Sequence, residues 1–161
     1  MHIIDETIRF LEDSRDLISD KEQWCKDNFA EFLSYNQSGI STYSNNSKAC
    51  RWCAIGAMIK TFADRYNDKY SLIKSKASFG DADFAVQAID DDLVFSTAIA
   101  FLGNVVEKNK FFTNYQKVYR FNDRDETTHK DVIEAFDNAI LYLKKQKDSL
   151  DRKESQYGEF Q

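Results

Sequence analysis

Lys48-Ala49-Cys50-Arg51-Trp52-Cys53-Ala54-Ile55-Gly56-Ala57-Met58-Ile59-Lys60-Thr61-Phe62-Ala63-Asp64-Arg65-Tyr66 is the stretch on which the fold turns. Cys50, Ala54, Ile55, Ala57, Met58, Phe62, Ala63 and Tyr66 recur at helical spacing, and Ser47 is placed to cap the start. Small Ala54, Gly56 and Ala57 let another element approach closely. The pattern predicts the central, most buried helix of a mainly α protein.

Upstream, Ile4, Ile8, Leu11 and Ile18 share one face, with Phe10 and Leu17 beside it, which predicts an amphipathic helix over about 5–18. Ser19 and Glu22 read as a capping box opening a second short helix that carries Trp24, Phe29 and Phe32. The polar run 34–47 offers its backbone side-chain alternatives to helix and predicts a long loop, functional or mobile rather than a mere connector. Downstream, 70–76 is ambiguous and a helix is expected near 82–89. Asp90-Asp91-Asp92 then precedes an apolar run from Leu93 to Val106 that reads as a core helix. Tyr115, Lys117, Tyr119 and Phe121 alternate with Gln116, Val118 and Arg120, a period-two pattern that suits one short strand or an extended connector. Thr128 and Asp131 form a variant capping box for a last helix over about 129–147, striped by Val132, Phe136, Ala139, Ile140 and Leu143. The expectation is a single compact helical domain of five or six helices over 1–148, with room for a minor β element, and a polar tail over 149–161.

Composition narrows the function classes. Twenty-seven acidic against 22 basic residues give a net charge of −5, and no basic block of the kind that grips duplex nucleic acid is present, so direct duplex binding is not expected. A basic or neutral partner suits this charge better. The basic residues Lys144, Lys145, Lys147, Arg152 and Lys153 are interleaved with acids and read as a solvated helix end. No secretory signal and no apolar run of membrane-spanning length is seen, so a cytoplasmic protein without membrane association is expected. Three cysteines in a reducing compartment are expected as free thiols.

Two motifs stand out: Cys53-Ala54-Ile55-Gly56-Ala57 at a helix start, and Phe121-Asn122-Asp123 ahead of Thr127, Thr128 and Val132. With Trp24-Cys25 and their order along the chain, they resemble an uncharacterised family of bacterial and phage-encoded domains of unknown function, over most of residues 4–146. That family has a Cys-Ala-x-Gly-Ala helix, a Trp-Asn-Asp element and a C-terminal amphipathic helix; Phe121 stands here in place of its Trp. The resemblance implies a compact helical domain and brings no catalytic residues.

Five constellations could carry function. A thiol nucleophile would use Cys53 near a helix N-terminus, His129 as base and Asp123 to orient it, against the commoner alternative of an inert buried cysteine. Cys25, Cys50, Cys53 and His129 supply the donor count of a tetrahedral zinc site, but without two close-spaced pairs; no metal or cofactor is expected. Asn122-Asp123 most simply caps the last helix and otherwise contacts a ligand. Asp81, Asp83, Asp90, Asp91 and Asp92 fail the calcium-loop spacing and read as caps and a solvated face. The tyrosines at 35, 43, 115, 119 and 157 suit a protein interface or, equally, the half-buried edges of the core. The leading expectation is a non-enzymatic interaction domain of bacterial or phage origin, binding a protein partner through Tyr35, Tyr43, Asn122 and Asp123, with inhibition of a host nucleic-acid machine as one role. The alternative is a small cysteine-dependent hydrolase or transferase using Cys53, His129 and Asp123.

Overall fold

A computed structural model describes residues 3–66, 89 and 91–158. The ambiguous segment 70–76, the helix expected near 82–89 and residues Asp81, Asp83 and Asp90 lie outside the described residues, apart from Ile89; so does the side chain of Tyr157.

The described chain is mainly α with a small antiparallel sheet. Its helices are α1 (Ile3–Leu17), α2 (Ala54–Arg65), α3 (Leu93–Val106), α4 (Asn114–Asp123) and α5 (His129–Gly158). A 3-10 turn spans Lys21–Gln23, and strands β1 (Ala30–Leu33), β2 (Gly39–Thr42) and β3 (Arg51–Trp52) form a sheet of order β2-β1-β3. Ala30 pairs with Thr42 on one side and with Trp52 on the other, so β1 is the middle strand.

Three aromatic rings set the core. Phe10 of α1, Phe62 of α2 and Phe95 of α3 are fully buried, and Phe95 meets Phe10 at 6.0 Å and Phe62 at 6.1 Å, both edge to face. A buried hydroxyl pair, Ser14 Oγ to Thr61 Oγ1 at 3.0 Å, joins α1 to α2 beside them. α5 lies along α1 and α3 and buries Val132, Phe136, Ala139, Ile140 and Leu143, the stripe expected of it. Arg15–Asp137 at 2.7 Å and Lys144–Glu12 at 2.7 Å tie its outer edge to α1. Part of the basic cluster is therefore paired, although such exposed ion pairs stabilise little.

The caps explain where helices begin. Asp92 Oδ1 accepts from the N–H groups of Val94 and Phe95 and starts α3. Thr128 and Asp131 form the expected reciprocal box: Thr128 Oγ1 accepts from Asp131 N–H, while Asp131 Oδ2 accepts from Thr128 N–H. The backbone N–H of Thr128 holds the Asp131 carboxyl below its ordinary value. α5 runs past 147, through Gly158.

Five local readings are corrected. The expected helix around Trp24, Phe29 and Phe32 is the 3-10 turn followed by β1, because Asp20, one residue after Ser19, caps the turn and lets only three residues coil. Within 34–47, Ser34–Ser38 forms a hairpin turn with Gln37 at φ 64°, and β2 follows it. α2 starts after Cys53 rather than Ser47, since Arg51 and Trp52 pair with β1. The 115–121 segment is helical: Thr113 and Gln116 close a capping box, and Val118 and Asn122, four apart, point into the core. Asn122 and Asp123 end α4 rather than cap the last helix.

Candidate functional site

The two motifs meet at one buried junction. Asn122 is 0% exposed, and all its polar capacity is used within the chain. Its Oδ1 accepts from Trp24 Nε1–H at 2.9 Å and from Ala54 N–H at 3.1 Å. Its Nδ2 donates to the Cys25 carbonyl at 3.1 Å and to Asp123 Oδ1 at 2.8 Å. One side chain thus fastens the end of α4 to the segment after the 3-10 turn and to the first amide of α2, which otherwise has no intrahelical partner.

α2 itself begins under tight constraint. Cys53 is its N-cap, with Sγ accepting from Gly56 N–H at 3.3 Å, while Cys53 N–H donates to the Phe29 carbonyl at 3.1 Å. A Cβ at Gly56 would fall 1.6 Å from that same Phe29 oxygen. The close approach expected of the small residues is therefore made by the backbone leading into β1, at Gly56.

Beside the junction lies an open cleft of about 350 Å³. Asp27, Asn28 and Phe29 form one wall and Tyr115, Tyr119 and Asp123 of α4 the other, with Ser41 and Cys53 also lining it. Phe29 stands 6.2 Å from Tyr115, and Tyr115 5.2 Å from Tyr119, ring centre to ring centre. Asp27 takes the left-handed conformation, φ 63°, which Asp tolerates better than most residues, and its N–H donates to Asp123 Oδ1 at 3.0 Å.

Cys53 and Asp123 thus share the cleft, whereas His129 is not among its lining side chains. His129 packs on Trp24, centroids 5.8 Å apart, and its Nε2 lies 2.7 Å from the Ile18 carbonyl; an oxygen that can only accept makes Nε2 the donor there. Cys53 is 3% exposed, and burial, opposed by the bond from Gly56 N–H, pushes its thiol up to about 12. Burial pushes the Cys25 thiol up as well. All three cysteines are free. Among the described residues, no group of three or more His, Cys, Asp or Glu side chains is placed to hold a metal ion.

The four residues expected to bind a partner are dispersed. Tyr35 is fully exposed at the hairpin turn, Tyr43 is half-buried just after β2, Asn122 is consumed in the junction, and Asp123 lines the cleft. Asp27, Asn28, Phe29 and Ser41 were not legible as cleft residues, because a helix placed across 24–32 sends their side chains elsewhere. Trp24 was visible as a landmark; its role as a donor to Asn122 was not.

The family of unknown function DUF6197 matches residues 4–141. The chain belongs to this family. The matched span takes in the Asn122 junction, the cleft and the first part of α5, so the DUF6197 match covers the whole candidate site. No curated protein and no solved structure matches the chain. Among the described residues, no helix is long and apolar enough to cross a membrane.

Proposed function

We propose that this chain is a non-enzymatic protein-interaction domain of bacterial or phage origin, which engages its partner through the β1–β2 hairpin and the cleft beside it. The observation that carries the reading is the hairpin itself. Tyr35, in the turn, is fully exposed, and Ile40 is 42% exposed on β2, an edge strand with no further neighbouring strand among the described residues. Exposed apolar side chains on an open sheet edge are the features that strand-adding partners use. An acidic chain of this kind suits a basic partner surface, including one on a host nucleic-acid machine that the domain would inhibit.

Photo-crosslinking tests the reading. A photoreactive residue replacing Tyr35 or Ile40 should give a discrete crosslinked product in extract of the native host. That product should be suppressed by excess wild-type chain, not suppressed by a Y35A/I40S chain, and absent when the probe replaces Lys60 of α2. Equal products from all three positions, or none from the hairpin, would remove the proposal.

The competing reading, a cysteine-dependent enzyme, draws support from Cys53 and Asp123 lining one cleft. Against it stand a protonated thiol that serves as a helix cap, and a His129 whose Nε2 is committed to Ile18. A thiolate is the nucleophilic form, and a thiol held up near 12 supplies little of it at neutral pH.

A further inference from the structure

We infer that the cleft between the Asp27–Phe29 segment and α4 receives a lysine or arginine side chain of the partner protein, an assignment that rests on the interaction reading above. Three independent features converge on an organic cation. Among the described residues, the charged groups lining the cleft are Asp27 and Asp123, both acidic, with no lysine or arginine beside them. Phe29 from one wall and Tyr115 and Tyr119 from the other contribute three aromatic rings, neighbours 6.2 and 5.2 Å apart. Aromatic faces attract ammonium and guanidinium groups, and a carboxylate beside them supplies the charge-assisted hydrogen bond. The volume, about 350 Å³, is that of a site for an organic group rather than a bare ion.

The carboxylates are available in different ways. Asp123 is fixed by bonds from Asn122 Nδ2 and Asp27 N–H, both to Oδ1; its Oδ2 takes no hydrogen bond from the described residues. Asp27 meets Asp123 only through its backbone, so its carboxylate is likewise without an internal partner among the described residues. A dehydrated metal ion is a poor match, since hard cations want six or more oxygen donors and two carboxylates beside π faces do not supply them. A side chain delivered by a protein fits the position: Ser41, on the edge strand β2, lines the cleft, so a chain laid along the hairpin reaches it directly.

The test uses the full chain and defined probes: N-acetyl-arginine amide, N-acetyl-lysine amide, and the neutral isostere N-acetyl-citrulline amide, read by aromatic-region NMR. The two cations should give saturable shifts centred on Phe29, Tyr115 and Tyr119 that weaken with added salt, and citrulline should give none. D27N/D123N should weaken cation binding at least tenfold while leaving the melting curve in place, because Asn tolerates the left-handed conformation and its Oδ1 still accepts from residue 27 N–H. Y119L should weaken it too, through loss of a π face.

Shifts as large with citrulline, binding unaltered in D27N/D123N, or no saturable shift with either cation would overturn the site. A hairpin crosslink that survives in D27N/D123N, together with absent cation shifts, overturns the cation site and leaves the interaction domain standing. Cation shifts in a chain whose hairpin yields no crosslink overturn the assignment to a partner's side chain.

Discussion

Removing the Asn122 side chain with Asn122→Ala should cost about 2–8 kcal/mol of folding stability. Ala54 N–H and the Cys25 carbonyl both lose a buried partner, and an orphaned buried group costs about 1–3 kcal/mol. Trp24 and Asp123 are only partly buried and can turn to water, so each adds the net value of one hydrogen bond, about 1 kcal/mol or less. The sum approaches the whole stability of a small domain, about 5–15 kcal/mol. In urea, at a slope of about 2 kcal/mol/M, the midpoint should fall by about 1–4 M. Trp24→Phe removes the Nε1–H donor together with part of the ring that packs on His129, and should cost about 1–3 kcal/mol. Because both changes break the same bond, the double variant should lose less than the sum of the singles. A loss below 1 kcal/mol in Asn122→Ala, or full additivity with Trp24→Phe, would refute the junction as the fastening of α2 and α4.

Three further outcomes follow from the same region. Gly56→Ala forces a Cβ to within 1.6 Å of the Phe29 carbonyl and should lower stability by about 3 kcal/mol or more, about 6–12 °C in Tm by calorimetry; a wild-type melting curve would contradict the close approach. Stability should decline above pH 9: the unfolded thiol ionises near its ordinary 9.0 while folded Cys53 stays protonated to about 12, so the contribution is complete below 9 and is lost between the two. Urea midpoints at pH 8 and 10.5 should show a loss of up to about 1.4 kcal/mol per pH unit per buried thiol, and a smaller one in Cys53→Ser. In the native chain, half-buried Cys50 should be alkylated first and Cys53 only on unfolding; rapid labelling of Cys53 at pH 7 would instead favour the enzyme reading.

The helices were legible where periodicity and caps agreed. Leu93–Val106 and the start of the last helix were readable because Asp92 and Thr128 are side-chain caps placed directly before apolar stripes. The sheet was not, because its strands are only four, four and two residues long, too short for alternation to declare itself. Phe29 and Phe32 therefore passed for a helical face. α4 was misread for the converse reason: Tyr115, Val118, Tyr119 and Asn122 satisfy helical spacing, but the interleaved polar residues mimic period two. Thr113 with Gln116 was the signal that could have decided it, since their capping box opens a helix. Of the site, Cys53 and Asp123 line one cleft, but His129, expected to stand between them, packs on Trp24 instead. Their neighbours were hidden by the missed sheet.

The motif residues are too fully used inside the fold to serve as a recognition surface. Asn122 has no exposed area, Cys53 Sγ accepts the Gly56 amide, and Gly56 is needed because the Phe29 backbone stands against it. Each restricts how β1, α2 and α4 meet, and their joint effect is to hold the Asp27–Phe29 segment opposite Tyr115 and Tyr119. Among the described residues, what that scaffold leaves unspent is the Asp27 carboxylate, Oδ2 of Asp123 and the exposed Tyr35. On the proposed interaction reading, specificity for a partner would reside in these groups, because the junction can change its hydrogen bonds only by giving up the contacts that build the cleft. Substitutions at the junction should therefore lower stability and binding together. D27N/D123N should lower binding alone, and that separation is what distinguishes a recognition site from the architecture that supports it.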